Sequence, residues 1–421
     1  MKKILCLAAM PLLLSFFSCQ QVIFDEIRKE VKLESAQISG EINSIVRFGD
    51  YIYLQNGNIW KKSATSESAH SWSQTSKPAP SADYQYVNKL AADSTYLYAQ
   101  VTLLDEDTMD DGEIEPQGCQ IWYSSDGSTW EGPIAFTNSE GTEVTTATSG
   151  TVVLFCTNSP KAANRKAYAR FYDSTDSSYT VYELNGGTIA ALTTTASSDY
   201  DSSTDYCSTT PAYNTVSCAY FNGEVYFSAS KAMTTNESIS YEETETDTDG
   251  TEVTKTVGED KDATMLYYAT SDDNIYFTAD GTFEDYAAIN TTYGTELSSN
   301  HVDVGCSTIN SMSVTKDYLY LGTDDGIEHV PFLTSTADGG DTVYSAVPYA
   351  GTADFSTNAD STLSSYYIVK CVLAMLNSEK ESENVIYGTA VFSGSSSSTS
   401  ATQDNCGLWA YVPSRGKWNR E

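Results

Sequence analysis

The sequence predicts an all-β protein, a six-bladed β-propeller, and three observations favour this fold. The composition suits strands, because 30 Tyr and 14 Phe accompany many Thr, Ser and Val, residues that favour pleated, half-buried strands. A segment of about a dozen residues recurs along the chain. Four other segments place aromatic or aliphatic residues seven positions apart, with turn-forming residues between them. Together these patterns predict four-stranded units, of which six can be counted.

The recurring segment is clearest in residues 43–54 and 310–321, which lie 267 positions apart. Both copies begin with Asn-Ser, contain Asp-Tyr and end with Tyr-Leu. Weaker copies begin at Asn88, Thr148, Ser217 and Val369. Each copy reads as one strand, a tight turn and a second strand. This order is typical of a β-hairpin.

A second hairpin is predicted after most of the first ones. Residues seven apart that enclose Ser-, Asp- or Gly-containing turns are Tyr123 and Trp130, Tyr172 and Tyr179, Tyr268 and Ile275, and Tyr411 and Trp418. Two hairpins make one four-stranded blade. Seven blades are the alternative if residues 188–210 hide a degenerate one. We expect the ring to close by pairing residues 408–419 with residues 33–42, because closure removes exposed strand edges.

One of these turns carries a further resemblance. The segment Ser124-Ser-Asp-Gly-Ser-Thr-Trp130 resembles the Asp-box of sialidase-like propellers, in which the Asp closes the turn between two outer strands and the aromatic ring packs between blades. The resemblance covers one blade closely and three loosely. It implies a structural role for Ser124, Asp126, Gly127 and Trp130, and it supports the fold rather than a catalytic activity.

The first residues read as an export signal. Lys2 and Lys3 precede an apolar run, and the small residue Ser18 precedes Cys19. The pair Ser18-Cys19 resembles the lipobox of bacterial lipoproteins, in which the cysteine is lipidated. The resemblance implies a signal peptide over residues 1–18, a tether over residues 19–35 and a propeller over residues 36–421. The protein would then be anchored to a membrane of the bacterial envelope. An ordinary cleaved signal is the alternative.

The charge balance excludes several partners. The chain has 23 Lys and Arg against 57 Asp and Glu. Removal of residues 1–18 takes away two Lys, which leaves 21 basic against 57 acidic residues and a net charge of −36. Nucleic acid and anionic lipid surfaces both require clustered cations, so neither is expected as a partner. A protein partner should instead present a basic patch.

Seven cysteines remain besides Cys6 and Cys19, without CxxC or metal-ligand spacing. Because seven is odd, at least one thiol is free or pairs with another chain. Cys156, Cys218 and Cys371 lie in apolar, strand-like runs, and we expect them to be small buried hydrophobic residues.

Long polar insertions separate the predicted strands, at residues 104–117, 197–213, 237–262 and 393–404. None carries enough apolar surface to order itself alone, so we place all of them as loops on the propeller faces, where binding residues commonly lie. Tyr offers a large amphipathic contact surface at low entropic cost. The candidate contact residues in or beside the loops are Tyr200, Tyr206, Tyr213 and Tyr241.

No catalytic set is evident. A sialidase-like site needs several arginine forks around a carboxylate, and the six Arg of this chain form no evident triad. Asp and Glu are too abundant to single out a pair for glycoside hydrolysis, and no nucleophile elbow accompanies the three His. We expect no cofactor. Calcium alone stays open, at acidic segments such as residues 105–113, which lack the order of an EF-hand loop.

Three classes of function fit the sequence. The leading one is a non-catalytic binding or scaffold lipoprotein for a protein or carbohydrate partner. It would be anchored at the outer membrane and face the periplasm or the cell surface. The second class is a periplasmic or surface hydrolase that acts on glycans. The third is a structural or antigenic surface lipoprotein whose acidic loops provide solubility and variability.

Overall fold

A computed structural model describes a large part of the chain. The described residues are 37–38, 40–80, 82, 84–104, 116–148, 151–192, 216–221, 224–231, 239–246, 252–259, 263–269, 275–279, 301–303, 309–324, 326–331, 343–345, 347–348, 367–375, 383–392, 406–414 and 417–421. Over these residues the architecture is all-β, as predicted, with one short 3₁₀ turn at Ala162–Asn164. No helix in this part of the chain has the length and apolar character to cross a membrane.

Five antiparallel four-stranded sheets form the blades of a propeller. The first contains β1 (Ile45–Phe48), β2 (Tyr51–Gln55), β3 (Ile59–Ser63) and β4 (Ser73–Gln74). The next contains β10 (Val152–Cys156), β11 (Ala167–Asp173), β12 (Ser178–Asn185) and β13 (Thr188–Ala191). Another contains β14 (Cys218–Phe221), β15 (Glu224–Lys231), β18 (Ala263–Ala269) and β19 (Ile275–Ala279). The last two contain β21 (Ile309–Val314), β22 (Tyr318–Thr323), β23 (Gly326–Pro331) and β25 (Val347–Pro348), and β26 (Tyr367–Met375), β27 (Val385–Phe392), β28 (Gly407–Val412) and β29 (Lys417–Arg420).

Smaller sheets complete the described structure. A three-stranded sheet contains β5 (Gln85–Ala92), β6 (Leu97–Leu104) and β7 (Pro116–Ser124). Three two-stranded sheets pair β8 (Phe136–Thr137) with β9 (Glu143–Val144), β16 (Ile239–Thr246) with β17 (Glu252–Glu259), and β20 (His301–Asp303) with β24 (Val343–Ser345). The last pair is parallel.

The predicted number of blades is wrong, because the described residues form five four-stranded blades rather than six or seven. The unit that begins at β5 stops at three strands. The described chain that follows β7 forms no fourth strand against it, and contacts it through isolated bridges from Glu131 to Tyr123 and from Ala147 to Cys119. Pro133 lies between them and has no amide hydrogen, so it cannot donate to a ladder with β7.

The seven-bladed alternative fails for a second reason. It required a degenerate blade within residues 188–210, but Thr188–Ala191 is the fourth strand of the sheet that begins with β10. Its residues pair with β12 from Asn185 opposite Thr188 to Tyr182 opposite Ala191. The start of the supposed extra blade therefore belongs to a blade already counted, and residues 193–210 lie outside the described residues.

The innermost strands form a closed ring about the axis. Along the chain they are β1, β5, β10, β14, β21 and β26, and the three-stranded sheet contributes one of them. Each strand packs against the next, and β26 packs against β1. Residues from all six of these strands, or directly beside them, line one cavity on the axis.

The predicted internal repeat corresponds to equivalent hairpins. In the first copy Ile45 pairs with Leu54, and in the second Met312 pairs with Leu321. These positions are equivalent in the alignment of residues 43–54 with residues 310–321. The repeat therefore encodes strand register as well as composition, because a shift of one residue would turn every side chain to the opposite face.

Two of the four predicted pairs of the second set lie opposite each other. In the other two the partner is displaced by one residue, because Tyr268 pairs with Tyr276 and Tyr123 forms an isolated bridge with Glu131. Tyr172 lies opposite Tyr179 and Tyr411 lies opposite Trp418, as residues seven apart around a tight turn should. The Tyr411 hairpin is the outer pair of its blade, as expected. The Tyr172 hairpin instead joins the two middle strands, β11 and β12, because Thr188–Ala191 adds a further strand outside it.

Tyrosines of the inner hairpins pack on glycine turns of the neighbouring sheet. The Tyr53 hydroxyl lies against Gly127, so closely that a Cβ at this position would overlap it. The Tyr98 hydroxyl accepts a hydrogen bond from the Gly186 amide at 2.8 Å. Both glycines have positive φ, +71° and +57°, which side chains other than glycine's rarely adopt. This contact joins adjacent sheets at two places in the ring.

One insertion forms ordered strands rather than a loop, which corrects the prediction for residues 237–262. β16 and β17 pair over eight residues each, from Ile239 opposite Glu259 to Thr246 opposite Glu252. The hairpin leaves its blade at Lys231 and returns at Ala263, two residues that are themselves paired. A backbone ladder can order a polar segment without a large apolar core, because its amides and carbonyls satisfy each other.

The predicted closure by strand pairing is also wrong. All four strands of the last blade come from residues 367–420, and within the described part of the chain none pairs with residues 37–42. Instead, the Glu421 amide donates to the Leu408 carbonyl at 3.1 Å, which brings the Glu421 carboxylate towards the first blade. There Lys62 Nζ contacts Glu421 Oε2 at 2.5 Å, with both side chains fully buried.

Aromatic and aliphatic side chains enclose this ion pair. Trp72 Nε1 donates to the same Glu421 oxygen at 3.1 Å, and the Lys62 ammonium lies 5.4 Å from the ring centroids of both Trp72 and Tyr387. Ile38 and Ile42 are buried in the cluster that joins the first blade to the last. Residues 33–42 therefore do contribute to closure, through side-chain packing at Ile38 and Ile42 rather than as a paired strand.

The buried ion pair leads to a prediction for stability. Glu421→Gln should lower the free energy of unfolding by about 3–5 kcal/mol, because it leaves the Lys62 charge buried without its counter-charge. Lys62→Met combined with Glu421→Leu should cost less than the single change, since neither charge is then buried. Urea unfolding of the three proteins measures both effects. A loss under about 0.5 kcal/mol for Glu421→Gln would contradict the role of the pair.

Candidate functional site

The axial cavity is the candidate site that the ring creates. Its lining includes Lys89 from β5, Lys370 from β26 and Asn310 from β21. Asn43, which precedes β1, also lines it. Asn43 and Asn310 are the first residues of the two clearest copies of the repeat. The repeat therefore places a polar side chain at the axis in each of them.

Irregular pairing occurs where the polar residues reach this cavity. The register shifts between Val87 and Lys89 in β5, between Ile309 and Ser311 in β21, and between Val369 and Val372 in β26. Such β-bulges change the direction of side chains and are frequent beside functional sites. The shift in β21 leaves Asn310 unpaired in the ladder, and the shift in β26 does the same for Lys370 and Cys371.

Lys89 is a desolvated cation. Burial lowers the pKa of its ammonium group to about 8, and the positive charge of Arg170 contributes in the same direction. The nearby thiol groups of Cys156, Cys371 and Cys218 act against this shift. Its Nζ donates to the Val216 carbonyl at 3.2 Å. Sequence analysis did not single out Lys89, although it directly follows Asn88, the start of a weaker repeat copy.

Two donors in the cavity wall have no hydrogen-bond partner within the described part of the chain. They are Asn310 Nδ2 and Ser311 Oγ, both buried as atoms, and the Ser311 side chain is 8% exposed. A buried polar group without a partner costs about 1–3 kcal/mol. Native proteins commonly satisfy such groups with bound water or a ligand.

The thiols near the axis are unsuited to nucleophilic chemistry. Cys156, Cys218 and Cys371 are buried, as predicted from their apolar surroundings. Burial raises the pKa of all three, to about 12 for Cys371. They therefore remain neutral thiols at physiological pH, whereas a reactive or metal-binding cysteine requires the thiolate.

The turn that resembles an Asp-box is closed by side-chain hydrogen bonds. Asp126 Oδ1 accepts the amides of Thr129 at 2.6 Å and Ser128 at 2.7 Å. Ser124 Oγ accepts the Gly127 amide at 2.9 Å and donates to Asp126 Oδ1 at 3.0 Å. The two amides hold the pKa of Asp126 well below its usual value. The Asp126 side chain is exposed to solvent, so this geometry shapes a turn and does not create a pocket.

The same turn contacts the first blade. Thr75 Oγ1 donates to the Gly127 carbonyl at 2.9 Å, and Ser76 Oγ donates to the Ser128 carbonyl. Trp130 is 9% exposed and lies in a hydrophobic cluster whose residues come from the first three sheets. The four residues singled out by the resemblance therefore come together at a junction between sheets.

The other predicted site residues belong neither to the axial cavity nor to the Asp126 turn as the structure describes them. Cys19 and the tyrosines Tyr200, Tyr206 and Tyr213 lie outside the described residues, and Tyr241 lies in β16, opposite Val257. The acidic segments at residues 105–113 and 247–250 also lie outside them. Within the described ranges no three His, Cys, Asp or Glu side chains are grouped as metal ligands would be.

Three of the described arginines donate to backbone carbonyls or lie over an aromatic ring. Arg165 is buried and donates to the Ser159 carbonyl at 2.8 Å. Burial, together with the neighbouring charge of Arg47, lowers its pKa to about 10. Arg170 lies 5.4 Å from the centroid of the Tyr179 ring, and Arg420 donates to the Cys406 carbonyl.

Comparison with known proteins supports a bacterial lipoprotein. Residues 1–106 match the model of the TP013X lipoprotein family. An uncharacterized lipoprotein of Treponema pallidum (strain Nichols) is 35% identical over 82 residues. That match covers 19% of this chain and 20% of the relative. A location at a membrane of the bacterial envelope agrees with both matches.

The solved structures that match this chain have low sequence identity and low TM-scores. The computationally designed Ika8 protein is 10% identical, with a TM-score of 0.36 over 90% of this chain and 100% of that one. The extracellular domain of a putative hybrid two-component system from B. thetaiotaomicron is 10% identical, with a TM-score of 0.34 over 85% of this chain and 40% of that one. These scores are too low for either likeness to bear on function.

The Asp126 turn and the Trp130 ring lead to contrasting predictions. Trp130→Ala should lower the free energy of unfolding by about 3–5 kcal/mol, because it opens a cavity between sheets. Asp126→Ala should cost about 0.5–1.5 kcal/mol, the net value of a hydrogen bond, since water can reach the freed amides. Thermal and urea unfolding measure both changes. Ser125→Ala, at an exposed position in the same turn, is the control. Losses under about 0.5 kcal/mol for both changes would contradict the structural role.

Proposed function

We propose that this protein is a lipid-anchored, non-catalytic binding protein of the bacterial envelope, which captures a basic protein partner through the hairpin β16–β17. The hairpin is the observation that carries the proposal. Residues on both sides of it, Lys231 and Ala263, already pair within the blade. The blade therefore needs no contribution from the hairpin for its own ladder, and the hairpin is available for another molecule.

The length of the hairpin supports recognition of a macromolecule. Its strands of eight residues each extend about 27 Å at the usual rise per residue. A two-stranded hairpin by itself is marginally stable, so a partner that covers it would also stabilise it.

The charge of the insertion specifies the chemistry of the partner. Residues 237–262 contain ten Asp or Glu against two Lys, in a chain that is already strongly acidic. Complementary charge accelerates association and excludes acidic competitors. The partner should therefore present a basic surface, and its association rate should fall as the salt concentration rises.

The lipid anchor is tested first. Cys19→Ala should release the protein from membranes or leave an uncleaved precursor, because an acyl chain can no longer be attached. Membrane fractionation and the apparent mass on a gel measure this. Ser18→Ala keeps a small residue before the cysteine and is the matched control. A Cys19→Ala protein that fractionates and migrates like the unaltered one would contradict the anchor.

The hairpin is tested by replacement. Residues 232–262 should be replaced by Asn-Gly, which forms the tight turn that a directly paired Lys231 and Ala263 require. The free energy of unfolding should change by less than about 1 kcal/mol, because the blade ladder is kept and the loop is shortened. Capture of the partner from native membranes by cross-linking and pull-down should be lost.

A charge variant distinguishes the contribution of the hairpin's negative charge from that of its length in the same experiment. Replacing Glu242, Glu243 and Glu245 by Gln keeps the length of the hairpin and should slow association at low salt, with little effect at high salt. Screening against glycosides and envelope glycans provides the opposing test. Saturable turnover that a single Asp or Glu substitution abolishes would establish an enzyme instead.

A further inference from the structure

The axial cavity has a charge opposite to that of the whole chain. The protein carries 57 Asp and Glu in 421 residues, so about two acidic residues would be expected by chance among the sixteen that line the cavity. Of these sixteen residues none is Asp or Glu, and two are lysines, Lys89 and Lys370. Because the lining has two lysines and no carboxylate, the electrostatic potential in the cavity is locally positive.

One of the two cations has unused hydrogen-bonding capacity. An ammonium group has three N–H donors, and Lys89 uses one of them on the Val216 carbonyl. The side chains that act electrostatically on Lys89 are the thiols of Cys156, Cys371 and Cys218 and the guanidinium of Arg170, and no carboxylate is among them. A desolvated cation without a counter-charge is costly unless an anion accompanies it.

Neutral donors lie beside these cations in the same lining. Asn310 Nδ2 and Ser311 Oγ are buried and without a partner in the described chain, and a β-bulge places Asn310 at the cavity. Amide and hydroxyl donors around ammonium groups are the groups that bind oxygen atoms of an anion. An apolar occupant would leave all of these donors unsatisfied.

We infer that the axial cavity binds a small oxyanion, of the phosphate or carboxylate class, through Lys89, Lys370, Asn310 and Ser311. The ammonium groups supply the charge, and the amide and hydroxyl groups supply directed hydrogen bonds. This site lies inside the ring and does not depend on the partner proposed for the hairpin.

The experiment measures binding of inorganic phosphate to the full-length protein in detergent by isothermal titration calorimetry, with sulfate and acetate as further probes. Lys89→Met and Lys370→Met should each weaken phosphate binding at least about tenfold, the loss expected for a charged hydrogen bond. Asn310→Ala and Ser311→Ala should each weaken it by about threefold to tenfold. Lys316→Met removes an exposed lysine of the β21–β22 turn and should leave the affinity unchanged.

The pH dependence provides a second measurement. Sulfate keeps its charge between pH 7 and 10, whereas Lys89 loses its proton as the pH rises through about 8. Sulfate affinity should therefore fall across this range. Cys156, Cys218, Cys371, Arg170 and Lys370 also face or line this site. Lys89→Met should remove most of the fall near pH 8, while Lys370→Met should retain it.

Each outcome decides the inference. Saturable binding of one or more anions that both lysine variants weaken, while Lys316→Met does not, supports the site. Thermal unfolding verifies that the variants are folded, since Lys→Met removes a desolvated charge and should not lower stability. Absence of binding at millimolar phosphate, sulfate and acetate would overturn the inference and indicate a cavity filled by water only. Equal weakening by Lys316→Met would indicate non-specific attraction and overturn it as well.

Discussion

The architecture depends on the buried ion pair that joins the first blade of the ring to the last. Lys62 and Glu421 are 359 residues apart in the chain, and their contact joins the first blade to the last. The two charges are fully buried, so their separation would leave both in an apolar cluster at considerable cost. A ring whose blades pack only on their neighbours behaves as a linear array until its ends meet. The buried ion pair therefore forms only when the ring is closed, and its loss on opening raises the free energy of the open state.

Between these ends, adjacent sheets are held by a recurring contact rather than by shared strands. The tyrosines of the inner hairpins reach glycine turns of the next sheet, as Tyr53 reaches Gly127 and Tyr98 reaches Gly186. Glycine permits both the positive φ and the close approach. Tyrosine supplies a large apolar ring and a hydroxyl for the backbone. At these two junctions a tyrosine therefore joins neighbouring sheets without a shared strand.

Charge is distributed according to position in the fold. Acidic residues are concentrated in the insertion at residues 237–262, which contains ten Asp or Glu against two Lys. The axis instead carries Lys89 and Lys370 without a carboxylate among the residues that line the cavity. The two proposed binding surfaces therefore have opposite charge: a basic protein would meet the hairpin, and a small oxyanion would enter the axis.

Periodicity in the sequence by itself determined the strands, the hairpin turns and the register, as the paired positions Ile45–Leu54 and Met312–Leu321 demonstrate. These features are local, because alternation and turn chemistry act over a few residues. Only the tertiary structure decided the number of four-stranded blades, the closure through Lys62 and Glu421, and the meeting of Lys89 with Lys370. Each of these depends on residues distant in the chain, and no local pattern encodes which distant side chains become neighbours.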